Sequence, residues 1–258
     1  HYKPRFAGDA LPRNHTGIVL ALADKLETLI GLFGIKQLPT GDRDPFALRR
    51  HALGVMRILI ERNLPLAVPD LLEAGFAVFP EGLLSHEGAR ADLLDFMVDR
   101  LVGSLREQGY SAQEVDAVLA LRPPLWGEIP KRLAAVRAFA ALPESASLAA
   151  ANKRVANILK KSDEAAVPLD EALLLEAAEL RLAAALRQVA PKADPLFEAG
   201  DYAASLRELA VLKEPVDAFF DAVMVNADDA RLRANRLALL RGLYGAMNRV
   251  AELARLAS

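Results

Sequence analysis

Apolar residues recur at helical spacing along nearly the whole chain, and no alternating run of β-branched residues is long enough to argue for a sheet. The pattern predicts an all-α protein. Asn14 is placed to cap a helix through Leu32, because a short side-chain acceptor there satisfies an unpaired backbone N–H; Gly34 is expected to end it in a left-handed turn. Asp44-Pro45 repeats the start signal, with Asp as N-cap and Pro at the first helical position, for a second helix to about Arg62. Pro65, Pro69, Pro80 and Gly82 break up the next stretch, after which Ser85 opens a helix to about Gln108 and Ser111 another to about Leu121. Arg122-Pro123-Pro124-Leu125-Trp126-Gly127 is the strongest linker signal. Helices are then expected from Glu128 to Leu142, Glu144 to Lys161, Leu169 to Val189, Tyr202 to Leu212, Val216 to Asn226 and Asp229 to Leu256. Boundaries placed near Leu64 and Leu142 give three segments, 1–64, 65–142 and 143–258.

Composition narrows the function classes. With 258 residues, 53% of them hydrophobic, the chain can bury a substantial core. The formal charge is −2, and the parts before and after Pro143 are each close to neutral, so any nucleic-acid contact must come from a local patch. Cysteine is absent, which excludes disulfides and thiolate metal sites and fits a reducing compartment; a cytoplasmic location is the expectation. No apolar run approaches the roughly 20 residues that span a bilayer, so no membrane association is expected. The start, His1-Tyr2-Lys3-Pro4-Arg5, lacks a signal-peptide core and an initiating Met, and suggests a fragment.

Three places could carry chemistry. The loop from Gly34 to Asp44 has glycines, cations and a hydroxyl but not the phosphate-loop spacing; the blander expectation is that Gly41 supplies an unusual backbone angle, Asp44 caps a helix, and Arg49 and Arg50 pair with acids. The helix from Ser147 to Ser162 puts Leu148, Ala151, Val155, Ile158 and Leu159 on one arc, at about 100° per residue, and Lys153, Arg154, Asn157, Lys160 and Lys161 on the other. A charge run of this kind is ordinarily a solvated face, but an apolar back with a basic front also suits RNA. The last helix carries Arg233, Asn235 and Arg236 beside Leu232, Leu239, Leu240 and Leu243, where RNA contact competes with internal salt bridges. Tyr202, Phe219, Phe220 and Tyr244 fall mostly on apolar stripes and read as core. His15, His51 and His86 have no metal spacing with each other or with Asp24, so neither a metal site nor a catalytic centre is expected.

The wording of Leu20-Ala21-Leu22-Ala23-Asp24-Lys25-Leu26-Glu27-Thr28-Leu29 through Gly41-Asp42-Arg43-Asp44-Pro45-Phe46-Ala47-Leu48-Arg49-Arg50 resembles the bacterial glycyl-tRNA synthetase beta subunit. Ala151-Asn152-Lys153-Arg154-Val155-Ala156-Asn157-Ile158-Leu159, Phe219 to Val225 and Arg236 to Leu240 resemble the DALR-type anticodon-binding domain that closes it. Departures are modest: Glu27 stands where the family usually has Asp, and Lys36 where it often has Gly. The resemblance implies that 1–64 ends an HD-like helical domain, that 65–142 is a helical connector and that 143–258 binds the anticodon. Asp24 matches the last Asp of HD-type phosphohydrolases, whose other metal ligands would lie before this chain.

The resemblance further implies a C-terminal piece of a subunit that recognises tRNA-Gly in an alpha2beta2 assembly with the alpha subunit. That alpha subunit holds ATP and Mg and activates glycine as its adenylate; this chain would be non-catalytic and hold no cofactor. By the same likeness Lys153, Arg154, Asn157, Lys160, Lys161, Arg233 and Arg236 would bind tRNA. The cations would hold phosphates, while Asn157 or a nearby carboxylate reads the two cytosines shared by glycine anticodons. Two other classes remain: an HD-type phosphohydrolase remnant, which needs a complete metal set, and a helical adaptor, which needs a contiguous exposed apolar face.

Overall fold

All regular structure among the described residues of the computed structural model, 3–6 and 8–257, is helical, as the all-α expectation has it. Extended backbone pairs there only as single bridges, Thr40 with Arg43 and Ala67 with Leu125. The His1-Tyr2 start lies outside the described residues. Two compact units divide the chain: 1–110 with 123–130, and 111–122 with 131–258. The stretch expected as one connector, 65–142, is shared between them. Its first helices belong to the first unit because they pack on the helices before them.

In the first unit, α1 (His15–Gly34), α2 (Leu48–Glu61), α3 (Val68–Ala77) and α4 (Ala89–Glu107) enclose a core of Leu29, Ile30, Phe33, Met56, Leu59, Leu93 and Met97. Asn14 caps α1 as expected, its Oδ1 accepting from the Gly17 amide at 2.8 Å. Gly34 is there for a different reason from the one expected. Lys36 takes the left-handed conformation, at φ 61°, while a Cβ on Gly34 would meet Leu84 Cδ2 at 2.5 Å. Asp44 acts as a cap from a distance: a turn over 44–47 delays α2 to Leu48, and the carboxylate reaches forward to accept from the Leu48 amide at 2.7 Å and the Arg49 amide at 3.0 Å. Ser85 does not start α4, which begins at Ala89 after a turn in which His86 Nε2 meets Asp92 at 2.7 Å.

The linker signal marks real crossings of the chain between the units, but it is not a solvated spacer. Pro124 O accepts from the Val68 amide at 3.0 Å and Trp126 is buried, so 123–130 belongs to the first unit.

The second unit contains α5 (Ala112–Leu119), most of α6 (Ile129–Ala140), α7 (Ser145–Lys161), α8 (Ala177–Glu198), α9 (Tyr202–Glu208), α10 (Lys213–Ala222) and α11 (Ala230–Met247). A reciprocal capping box of Ser111 and Glu114 starts α5. α7 packs on α10, α11 and the short 3-10 turn Leu253–Leu256, burying Leu148, Val155, Val216, Phe219, Leu240, Leu243 and Leu253. The helix expected from Leu169 begins instead at Ala177, under a capping box of Glu176 and Glu179, and runs on through Pro191 and Pro195 to Glu198. Between α7 and α8, residues 162–176 form a strap with a single 3-10 turn at Glu171–Leu173. α11 stops at Met247 rather than reaching Leu256, because Asn248 turns inward.

Candidate nucleic-acid interface

α7 owes its orientation to what lies on its inner face. Leu148, Ala149, Ala151 and Val155 are buried, and Asn152, at 0% exposure, exchanges two 3.1 Å amide hydrogen bonds with Asn248. Asn248 also donates to the Tyr244 carbonyl at 2.8 Å and accepts from the Leu253 amide at 2.9 Å. A buried amide pair with its donors and acceptors satisfied fixes the rotation of the helix about its axis. At the other end of the helix, Ser147 donates to Asp217 at 2.9 Å, and Lys213 pairs with the same carboxylate at 2.9 Å. The Lys213 hydrogen bond holds Asp217 below its ordinary range, against the opposing effect of partial burial.

With the inner face fixed, Lys153, Arg154, Asn157, Lys160 and Lys161 all face solvent, as their arc predicts. Lys153, Arg154, Asn157 and Lys161 line one shallow depression together with Ala150 and Ile158. The guanidinium of Arg154 lies over the Phe220 ring, 4.1 Å from its centroid, so Phe220 on α10 supports a surface cation rather than only filling core. Lys153, Asn157, Lys160 and Lys161 have no side-chain hydrogen bond or ion pair among the described residues. Lys160 and Lys161 also sit in the last turn of α7, where the helix dipole favours positive charge.

The second cluster expected to meet RNA is turned inward. Arg236 is 7% exposed, its Nε donating at 2.6 Å to Glu179, which is fully buried, and its Nη1 donating to the Met224 carbonyl at 2.8 Å. Glu179 also accepts from the Glu176 amide at 2.8 Å, so one carboxylate holds α11 and starts α8. The assignment of Arg236 to an RNA-facing surface is replaced by a core ion pair; an unpaired carboxylate at Glu179 would be too costly to bury. Arg233 pairs with Glu164 and donates to the Ala227 carbonyl at 2.6 Å, which ties it to the strap. Asn235 exchanges hydrogen bonds with the Asp170 backbone, at 2.8 Å and 2.9 Å, and Arg241 donates to the Glu164 carbonyl at 3.0 Å. Sequence reasoning misses the organising roles of Asn152, Asn235, Glu164 and Glu179. For Asn152, Asn235 and Glu179 the one legible signal is a polar residue on an apolar arc, which needs a partner that sequence does not name; Glu164, in the strap, offers none.

The Gly34 to Asp44 loop is built as the blander expectation has it, with Gly41 at φ 50° and Asp44 as a cap. Thr40 and Arg43 satisfy each other's backbone, at 3.1 Å and 2.8 Å, and Arg49 donates to the Gly41 carbonyl instead of pairing with an acid. Among the described residues no group of three or more His, Asp or Glu side chains is placed to hold a metal, and no single helix is long and apolar enough to cross a membrane.

Residues 148–252, the part of the second unit that carries both basic clusters, match the family model described as the DALR anticodon binding domain. Both α7 and α11 lie within that match. Residues 1–120 match the model described as the glycyl-tRNA synthetase beta subunit. Curated relatives agree along the whole chain: the glycine–tRNA ligase beta subunit of Leptothrix cholodnii is 71% identical over 259 aligned residues, covering 100% of this chain and 36% of the relative. Those of Dechloromonas aromatica and Thiobacillus denitrificans are 63% and 62% identical, again over 100% of this chain and 36% and 37% of their own lengths. The chain belongs to the glycyl-tRNA synthetase beta-subunit family, and it spans little more than a third of the length of the relatives it matches.

Proposed function

We propose that this chain is the tRNA-recognition portion of a glycine–tRNA ligase beta subunit, and that the outer face of α7 holds the anticodon arm of tRNA-Gly. The observation that carries the reading is the set of solvent-facing cations on α7, placed on a helix whose rotation is locked from inside and which lies within the DALR match. Phosphate contacts from Lys153, Arg154, Lys160 and Lys161 supply affinity and register; Asn157, which lines the depression among them, is the amide offered to a base edge. Cytosine in the anticodon offers an N4 donor with N3 and O2 acceptors, which an amide side chain can match. Arg233 contributes through the strap, not by direct contact.

Chemistry lies elsewhere in this reading. Ligation of glycine to its tRNA proceeds in the cytoplasm in an alpha2beta2 assembly, with ATP and Mg bound by the alpha subunit. The loop from Gly34 to Asp44 does not fit a phosphate cradle: its Thr40 and Arg43 amides are paired within the loop, and a phosphate cradle needs amides turned outward. The test is a tRNA titration of the assembled enzyme carrying Lys153→Glu and Lys160→Glu. Affinity for tRNA-Gly should fall at least about tenfold with an unchanged melting temperature, and an anticodon-swapped tRNA should bind both forms weakly. Normal binding of tRNA-Gly by the doubly reversed enzyme overturns the assignment.

A further inference from the structure

Away from α7, the first unit contains a small cavity between the N-terminal segment, α1 and α2, lined by Pro4, Arg5, Asp24, Lys25, Arg50 and His51. Its most unusual member is Lys25. The residue is 4% exposed, on the inner face of α1, and its ammonium has no hydrogen bond or ion pair among the described residues. Its stem is buried while the ammonium opens onto the cavity, and partial burial pulls its pKa down, with the Asp24 charge opposing. Space for it is built in: a Cβ at Gly54, in the middle of α2, would lie 2.6 Å from Lys25 Cε and 2.9 Å from Cδ. Glycine inside a helix costs about 1 kcal/mol, so the sequence gives up stability in α2 to admit the lysine stem.

The neighbours are equally unfinished. His51 Nδ1 is buried without a hydrogen-bond partner among the described residues, and burial, then the Lys25 charge, hold its imidazole below the ordinary range. As a neutral ring it can still donate from Nδ1. Arg50 is exposed at the rim, and Arg5 is paired with Asp9. Cations therefore outnumber carboxylates around the cavity, and Asp24 supplies a single acceptor among the donors. At about 150 Å³ the cavity is smaller than the roughly 300–1,000 Å³ of sites for organic ligands, which suits an ion-sized guest.

We propose that this cavity binds a hydrogenphosphate group, with Lys25, Arg50 and His51 Nδ1 donating to its oxygens and Asp24 accepting from its P–O–H. The carboxylate gives the site its selectivity: hydrogenphosphate has a proton to offer Asp24, whereas sulfate at neutral pH has none and meets the carboxylate charge unrelieved. The site belongs to the first unit and α7 to the second, and its test is independent of tRNA recognition.

The experiment is a calorimetric titration of inorganic phosphate into the full-length protein in chloride buffer, repeated with sulfate and with adenosine 5′-monophosphate. Saturable phosphate binding is expected, weakened at least about tenfold by Lys25→Met, which keeps the stem and removes the charge, with sulfate at least about tenfold weaker than phosphate. Should Lys25→Met fail to fold, Arg50→Gln at the exposed rim weakens phosphate in the same sense. The monophosphate, whose dianion like sulfate has no P–O–H to offer Asp24, is expected to bind at least about tenfold more weakly than inorganic phosphate; binding as tight as that of the free ion overturns the role given to Asp24. No saturable phosphate binding up to about 20 mM, or binding indifferent to Lys25→Met and Arg50→Gln, overturns the site; equal affinity for sulfate overturns the role given to Asp24 and with it the choice of hydrogenphosphate.

Discussion

α7 and α11 carry the two basic clusters of the second unit, and in sequence they look alike: cationic side chains and asparagine beside an apolar stripe. Their structural roles are opposite. On α11, Arg233, Asn235, Arg236 and Arg241 each have a partner in the strap, on α8 or in the backbone before the helix. On α7, Ser147 and Asn152 are so used and Arg154 rests on the Phe220 ring, while the basic residues beyond Asn152 look outward. The contrast teaches that a charge cluster becomes a binding surface only after its internal partners are counted. Glu164 and Glu179 decide the matter for α11, and both are far from it in sequence.

The largest effect should come from Arg236. Its removal in Arg236→Ala strands Glu179 in the core and should cost about 3–5 kcal/mol in urea unfolding, whereas Lys160→Ala should leave the midpoint within about 0.5 kcal/mol of the parent. Equal effects would erase the distinction between the helices. Next comes Asn235→Ala, which unties the Asp170 backbone. We expect a loss of about 1–3 kcal/mol and faster proteolytic cleavage within 162–176, while a strap that stays resistant would show that Arg233 and Arg241 suffice.

A smaller, pH-resolved effect separates engaged from solvent-facing charge on the same unit. Hydrogen bonding from Arg137, against partial burial and with help from the Ser111 cap, holds the Glu114 carboxyl down to about 2. A folded value below the unfolded one of about 4.3 means that the stabilisation is complete above that unfolded value and fades as pH falls toward 2. Stability measured between these limits should fall less steeply in Arg137→Ala than in the parent. An identical slope would show that the pair contributes nothing.

How much of this is legible in sequence follows from the range of the interactions involved. Helix identity, the Asn14 cap and the outward face of α7 depend on spacing within one element, and the pattern of apolar residues contains them. The left-handed residue at Lys36, the forward reach of Asp44 over three residues and the use of Gly34 to admit Leu84 depend on turn geometry or on a distant side chain, so the motifs stand out in sequence while their reasons do not. The apolar pattern starts α8 too early because Leu169 to Leu175 is apolar enough for a helix, yet the strap forms only a single 3-10 turn there, with the Asn235 and Arg241 bonds tying its backbone to α11. For the candidate site, the cations of α7 are readable and the fate of Arg236 is not, since Glu179 lies 57 residues away.

The central claim is that the α7 face is an electrostatic RNA surface, and the salt dependence of tRNA-Gly binding tests it most directly. Removing one phosphate-holding cation should reduce the slope of log K against log salt by about 0.7–0.9. The account predicts a slope lower by roughly one to two units in the assembled enzyme when Lys153 and Lys160 are replaced by Gln. A slope identical to that of the parent enzyme would contradict it and place the tRNA on another face.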